Sequence, residues 1–164
     1  MASKKNEITN AELLTPAIVS LTESYLAARV AAEAMREQVD ALRTPLLTEI
    51  ELYADLSDGR RITAPRDYWL SEDNAALARY YQECDRREKA AGLKPDDMPV
   101  DSCPALVLEE AQLAAEHELI TASGAPFGID NDKLLCGPDG LGRRQKWLDL
   151  VVGLVLAARR EGRI

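Results

Sequence analysis

The sequence predicts an all-α protein, on three observations. Alanine and leucine supply much of the 46% apolar content, while aromatic residues make up only 5%. That composition packs helices rather than the Val-, Ile-, Thr- and aromatic-rich sheets of a β-sandwich. Apolar residues also recur at helical spacing over several long stretches, and Pro- and Gly-bearing segments punctuate them. The expected architecture is a long N-terminal coiled-coil-like helix, or a kinked helical hairpin, joined to a C-terminal helical bundle. At 164 residues the chain has the size of one domain with a genuine core.

The first long helix opens at Thr15-Pro16, where a hydroxyl can cap and proline suits the first helical position. Ile18, Leu21, Tyr25, Ala28, Ala32, Met35, Val39, Leu42 and Leu46 follow at alternating three- and four-residue spacing, which is a coiled-coil seam. A helix from Pro16 to Leu52 is roughly 55 Å long at ~1.5 Å per residue. Its seam requires a second helix of this chain, a copy of itself or a partner. Pro45 removes a backbone donor and crowds the carbonyl of Ala41, so a kink or break is expected near Thr44. Arg29, Arg36 and Arg43 form a column beside the seam, and Glu33 and Asp40 are placed to pair with them on the same helix.

Residues 53–71 break the helical pattern. Asp58-Gly59 is a turn signal, with a short extended piece or small hairpin expected around residues 60–63. Tyr68 and Trp69 lie in this connector, as a plug on a helical core or an aromatic anchor for a partner. Ser71 caps a second helix that runs through Ala91 to Gly92, with Leu77, Tyr80, Tyr81, Cys84 and Ala91 on its apolar face. Residues 94–103 form a Pro-rich acidic linker. Pro104 opens a third helix that stops at Ser123-Gly124. A short helical turn follows around residues 133–136, with Asp130 or Asn131 as its cap. A last helix spans residues 141–160, apolar nearly all round from Trp147 to Ala158 and so expected at the centre of the C-terminal bundle. The expected division is a flexible N-terminus over 1–15, a helical segment over 16–93, the linker, and a bundle over 104–164.

Net charge is −8 but unevenly spread. Residues 101–142 carry −7, whereas residues 143–164 carry +4. An acidic chain does not bind nucleic acid by default, although Arg143, Arg144 and Lys146 form a candidate basic patch, with Arg159, Arg160 and Arg163 further along. The most apolar run, residues 147–158, contains Asp149 and is too short to cross a bilayer. No signal-peptide pattern opens the chain. The three cysteines, Cys84, Cys103 and Cys136, are scattered and odd in number, which fits a reducing cytoplasm better than a disulfide framework.

No catalytic constellation is visible. The single histidine, His117, shares a face with Leu113 and Ile120 and is expected to be half-buried and structural. Cys103 lies at a helix start, but ~21 Å of helix separates it from His117. Asp130 and Asp132 sit in a segment that lacks the glycine and closing glutamate of a calcium loop. The glycine-rich stretch over residues 136–147, CGPDGLGRRQKW, lacks the preceding strand and Walker spacing of a phosphate loop. It is expected to be a Pro-Asp-Gly turn with Asp139 capping the last helix. No metal site and no cofactor are expected.

The function expected from these features is non-enzymatic: a helical interaction module (adaptor, assembly factor or small inhibitor) acting through the heptad seam and charge-complementary surfaces. A protein partner is expected, and a homodimer is one version of it. The alternatives are an acidic nucleic-acid mimic blocking a nuclease or CRISPR-type complex, and nucleic-acid binding through the basic C-terminal helix.

Overall fold

The computed structural model describes residues 10–50, 54–55, 61–62 and 74–164. Its helices are α1 (Asn10–Leu13), α2 (Pro16–Glu49), α3 (Asn74–Ala90), α4 (Pro104–Gly124), α5 (Asn131–Leu135) and α6 (Gly140–Arg160). Two-residue strands β1 (Ala54–Asp55) and β2 (Arg61–Ile62) pair antiparallel, Ala54 opposite Ile62. This is the small hairpin expected at the connector, and the fold class is all-α as predicted. Asp58-Gly59, Tyr68, Trp69 and Ser71 lie outside the described residues.

Local chemistry accounts for the helix ends. Thr15 Oγ1 accepts from the Ile18 amide at 3.3 Å, and Pro16 takes the first helical position, as its fixed φ and missing donor favour. α3 ends on Gly92 at φ 70°, with the Leu93 amide reaching back to the Glu88 carbonyl at 2.9 Å. α6 ends the same way on Gly162, with Arg163 reaching Ala158. Both are left-handed glycine caps that satisfy the last carbonyls.

Contacts divide the chain into two compact units. The terminal unit comprises Met1–Val30 with Glu109–Ile164, and the middle unit comprises Ala31–Leu108. Both boundaries fall inside helices, α2 and α4, and neither coincides with the linker expected at 94–103. That segment is tied down: the Lys94 ammonium is fully buried, 2.7 Å from Asp85 Oδ1 and 3.3 Å from the Val100 carbonyl. Of the stretch 1–15 expected to be flexible, residues 1–9 lie outside the described residues, residues 10–13 form α1, and Leu13 is fully buried in the terminal core.

The terminal core joins Leu13, Ile18 and Tyr25 to Leu119 and Ile120 of α4 and to Trp147, Leu148 and Val151 of α6. Phe127 stands edge-on to Trp147, ring centroids 5.9 Å apart. The middle core is smaller, built on Leu46, Tyr80 and Cys84 with Leu47, Ile50, Leu77 and Tyr81 around it.

The break expected near Thr44 is not observed, since α2 runs unbroken through Pro45. On one side of the proline Arg43 is fixed to Glu88, and on the other Leu46 is fully buried. These contacts hold the turn, and Ala41, whose carbonyl the ring crowds, is exposed to water. The last helix also departs from expectation. Its Trp147, Leu148, Val151, Val155 and Ala158 are buried, but Leu150 and Leu156 are exposed, so α6 flanks the core instead of running through its centre.

Candidate functional site

The heptad seam is buried within a single chain. In the terminal unit Ile18 and Tyr25 are buried, with Leu21 and Ala28 partly covered. In the middle unit Ala32, Val39 and Leu46 are buried, with Met35 and Leu42 partly covered.

The three residues of the basic patch are used differently. Arg144 is mostly buried and ion-paired with Glu116 of α4, and its Nε donates to Asn131 Oδ1 at 2.9 Å. Arg143 Nε donates to the Leu134 carbonyl at 3.3 Å. These two arginines fasten α6 to α4 and to the segment before it. Among the described residues, Lys146 alone of the three projects into solvent without a polar contact.

The glycine-rich stretch is the expected turn. Gly137 adopts φ 85° and its carbonyl accepts from the Gly140 amide at 3.1 Å. A Cβ on Gly140 would strike the Leu135 backbone, so the glycine serves close packing of α5 on α6. Asp139 makes no side-chain cap, contrary to expectation. Asp130 does cap α5, accepting from the Lys133 amide at 2.8 Å, and that amide together with the Lys133 side chain holds its carboxyl below the usual range.

Two buried polar arrangements brace the terminal unit. Trp147 Nε1 donates to Ser123 Oγ at 2.9 Å, and Ser123 donates on to the Leu119 carbonyl at 2.6 Å. Burial and the charge of Glu116 push the Tyr25 phenol up, partly opposed by Arg29. The middle unit buries more charge, at Asp85, Glu88 and Lys94. Arg43 Nε lies 2.5 Å from Glu88 Oε1, and Glu88 is fully buried, with no hydrogen-bond partner for Oε2 among the described residues. The arginine column therefore does not pair wholly along its own helix, because Arg43 reaches α3. Burial raises the nearby Tyr80 hydroxyl and Cys84 thiol above their usual ranges.

A cleft of about 530 Å³ opens beside Leu46, Ile50, Glu83, Arg86 and Arg87. Its Glu49, Glu83, Arg86 and Arg87 pair with one another, and Arg79 also lines it. Arg86 and Arg87 hold the Glu83 carboxyl down to about 2 through hydrogen bonds, and Arg87 also pairs with Glu49. His117 is exposed rather than half-buried, because α4 turns Glu116, Leu119, Ile120 and Ser123 inward. Cys84 is buried, Cys103 half-buried and Cys136 exposed. Among the described residues no group of three metal-ligating side chains converges and no helix is long and apolar enough to cross a membrane.

What remains is a pair of outward faces on the terminal unit. α6 presents Lys146, Leu150, Gly153, Leu156 and Arg160 to solvent, with Leu150 41% and Leu156 42% exposed. α4 presents Glu110, Leu113, Ala114, His117 and Glu118, with Leu113 53% exposed. The expectations from the sequence missed these faces. For α6 the clue was Asp149 beside Leu150, which marks a wet side on an otherwise apolar run. No protein-family model, no curated protein and no solved structure matches this chain. The fold class is therefore all that similarity and structure together establish.

Proposed function

We propose that this protein is a helical interaction module that works by binding another protein, without catalysis, and that the outward sides of α4 and α6 do the binding. The observation that carries this is the exposure of large apolar side chains on helices whose inward sides already complete a core. Leu113, Leu150 and Leu156 leave 53%, 41% and 42% of their surface in water, and covering that apolar area would favour association. The ionisable side chains in the interior support a binding role, since Arg144, Glu116, Arg43 and Glu88 act as structural braces.

The test is affinity capture with the wild-type chain and with a Leu150→Glu, Leu156→Glu double variant. Both positions are exposed, so the variant keeps its helical circular dichroism and melting temperature. The expected result is a stoichiometric protein bound by the wild type and lost from the variant. Equal capture by the two would contradict the proposed surface.

A further inference from the structure

We infer that the partner seated on α6 is α4 of a second copy of this chain. This rests on the interaction module proposed above and names its partner.

The two faces are built alike and charged oppositely. On α6, Gly153 sits at the centre of the exposed side, with Leu150 and Leu156 flanking it. Lys146 and Arg160 lie seven residues away on either side, two turns of helix each. A Cβ added at Gly153 meets nothing within 4 Å, so the helix backbone is open to a close neighbour. On α4, Ala114 is the central small residue, with Leu113 beside it and Glu110 and Glu118 four residues away on either side. Lys146, Arg160, Glu110 and Glu118 all point into solvent and make no ion pair among the described residues. The one carboxylate on the α6 face, Asp149, accepts a hydrogen bond from Gln145 at 2.8 Å.

Laid across each other at Gly153 and Ala114, the two helices can approach to the short end of the usual ~8–10 Å interaxial range. The leucines then interlock around the crossing. Each cation falls about three residues beyond its glutamate, an offset of ~4.5 Å along the axis, which the flexible stems of Lys146 and Arg160 span. Two opposite pairs at the rim fix the register and favour this partner over an uncharged one.

The two faces cannot satisfy each other within one copy. α4 and α6 already bury their opposite sides together, through Leu119, Ile120, Leu148 and Val151 and through Glu116 with Arg144. The complement must come from another molecule, and every copy carries both halves of it.

Sedimentation velocity over a wide concentration range, at low and at high salt, tests this with two charge-reversed variants. One is Lys146→Glu with Arg160→Glu, and the other is Glu110→Lys with Glu118→Lys. The wild type is expected to self-associate, less so as salt screens the rim. Each variant alone associates at least about tenfold more weakly, because like charges now face each other. An equimolar mixture of the two restores association. Unchanged circular dichroism of the variants separates this loss from misfolding. Variants that associate like the wild type, or a mixture that fails to recover, would overturn the pairing of these faces. A wild type that stays monomeric while Leu150→Glu, Leu156→Glu still loses a captured protein would overturn the second copy and leave the interaction surface standing.

Discussion

The two units solve the same packing problem with different materials. The terminal unit joins residues of four helices around a continuous apolar core, and its buried polar groups find partners: Trp147 in Ser123, Arg144 in both Glu116 and Asn131. The middle unit has a smaller apolar core and buries more ions, with Glu88 fully enclosed and one of its oxygens without a partner among the described residues. A charge in low dielectric stabilises only while its partner stays, because the desolvation cost remains when the partner leaves. The middle unit should therefore answer sharply to loss of a single charge. The terminal unit answers to loss of apolar volume, and its outer side is free to serve another purpose.

The largest effect should come from Arg43→Ala. It strands the buried Glu88 carboxylate and is expected to cost about 3–5 kcal/mol in urea unfolding. Replacing both partners, Arg43→Met with Glu88→Met, removes the two charges together and should recover most of that loss. A double variant as unstable as the single one would break the contrast between the units.

In the terminal unit, Ser123→Ala leaves the Trp147 indole N–H buried without its acceptor, an expected loss of about 1–3 kcal/mol by the same measurement. Acid is a gentler lever on the middle unit. The carboxyl of Glu83 is held at about 2 against an ordinary 4.5, and Lys94 and Lys89 hold Asp85 low as well. A depressed carboxyl contributes stability that is complete above its unfolded value and is lost as pH falls toward the folded one. Circular dichroism should therefore show the stability from Glu83 draining away between pH 4.5 and about 2, with a shallower slope in Glu83→Gln. The smallest effect is a gain. Gly153→Ala adds a methyl where space is open and relieves a mid-helix glycine, which should raise the unfolding free energy by about 0.5–1 kcal/mol.

Local signals in the sequence were reliable guides to local structure. Thr15-Pro16 starts α2, Asp130 caps α5, Gly92 ends α3 and the Pro-Asp-Gly turn precedes α6, because each depends on chemistry within a few residues. The seam residues do turn inward, since spacing alone sets which of them share a helix side. What spacing could not supply was the element that covers each side. Arg43 has Asp40 three residues away but meets Glu88, 45 positions along the chain. α4 carries apolar residues all round, so periodicity gives its buried side no direction, and His117, expected to be half-buried, stands in water. The same blindness hid the outward leucines of α6, which resemble core residues until neighbours are in place.

Leu148 and Leu150 stand two residues apart on α6, one fully buried and the other 41% exposed, and they separate the side that holds the fold from the side proposed to bind. Urea unfolding of Leu148→Ala and Leu150→Ala, measured side by side, is the most direct test of that division. Leu148→Ala should lose about 2–5 kcal/mol to its cavity, and Leu150→Ala should stay within about 0.5 kcal/mol of the wild type. Equal losses at the two positions would mean that α6 has no spare side to offer a partner, and would contradict the account.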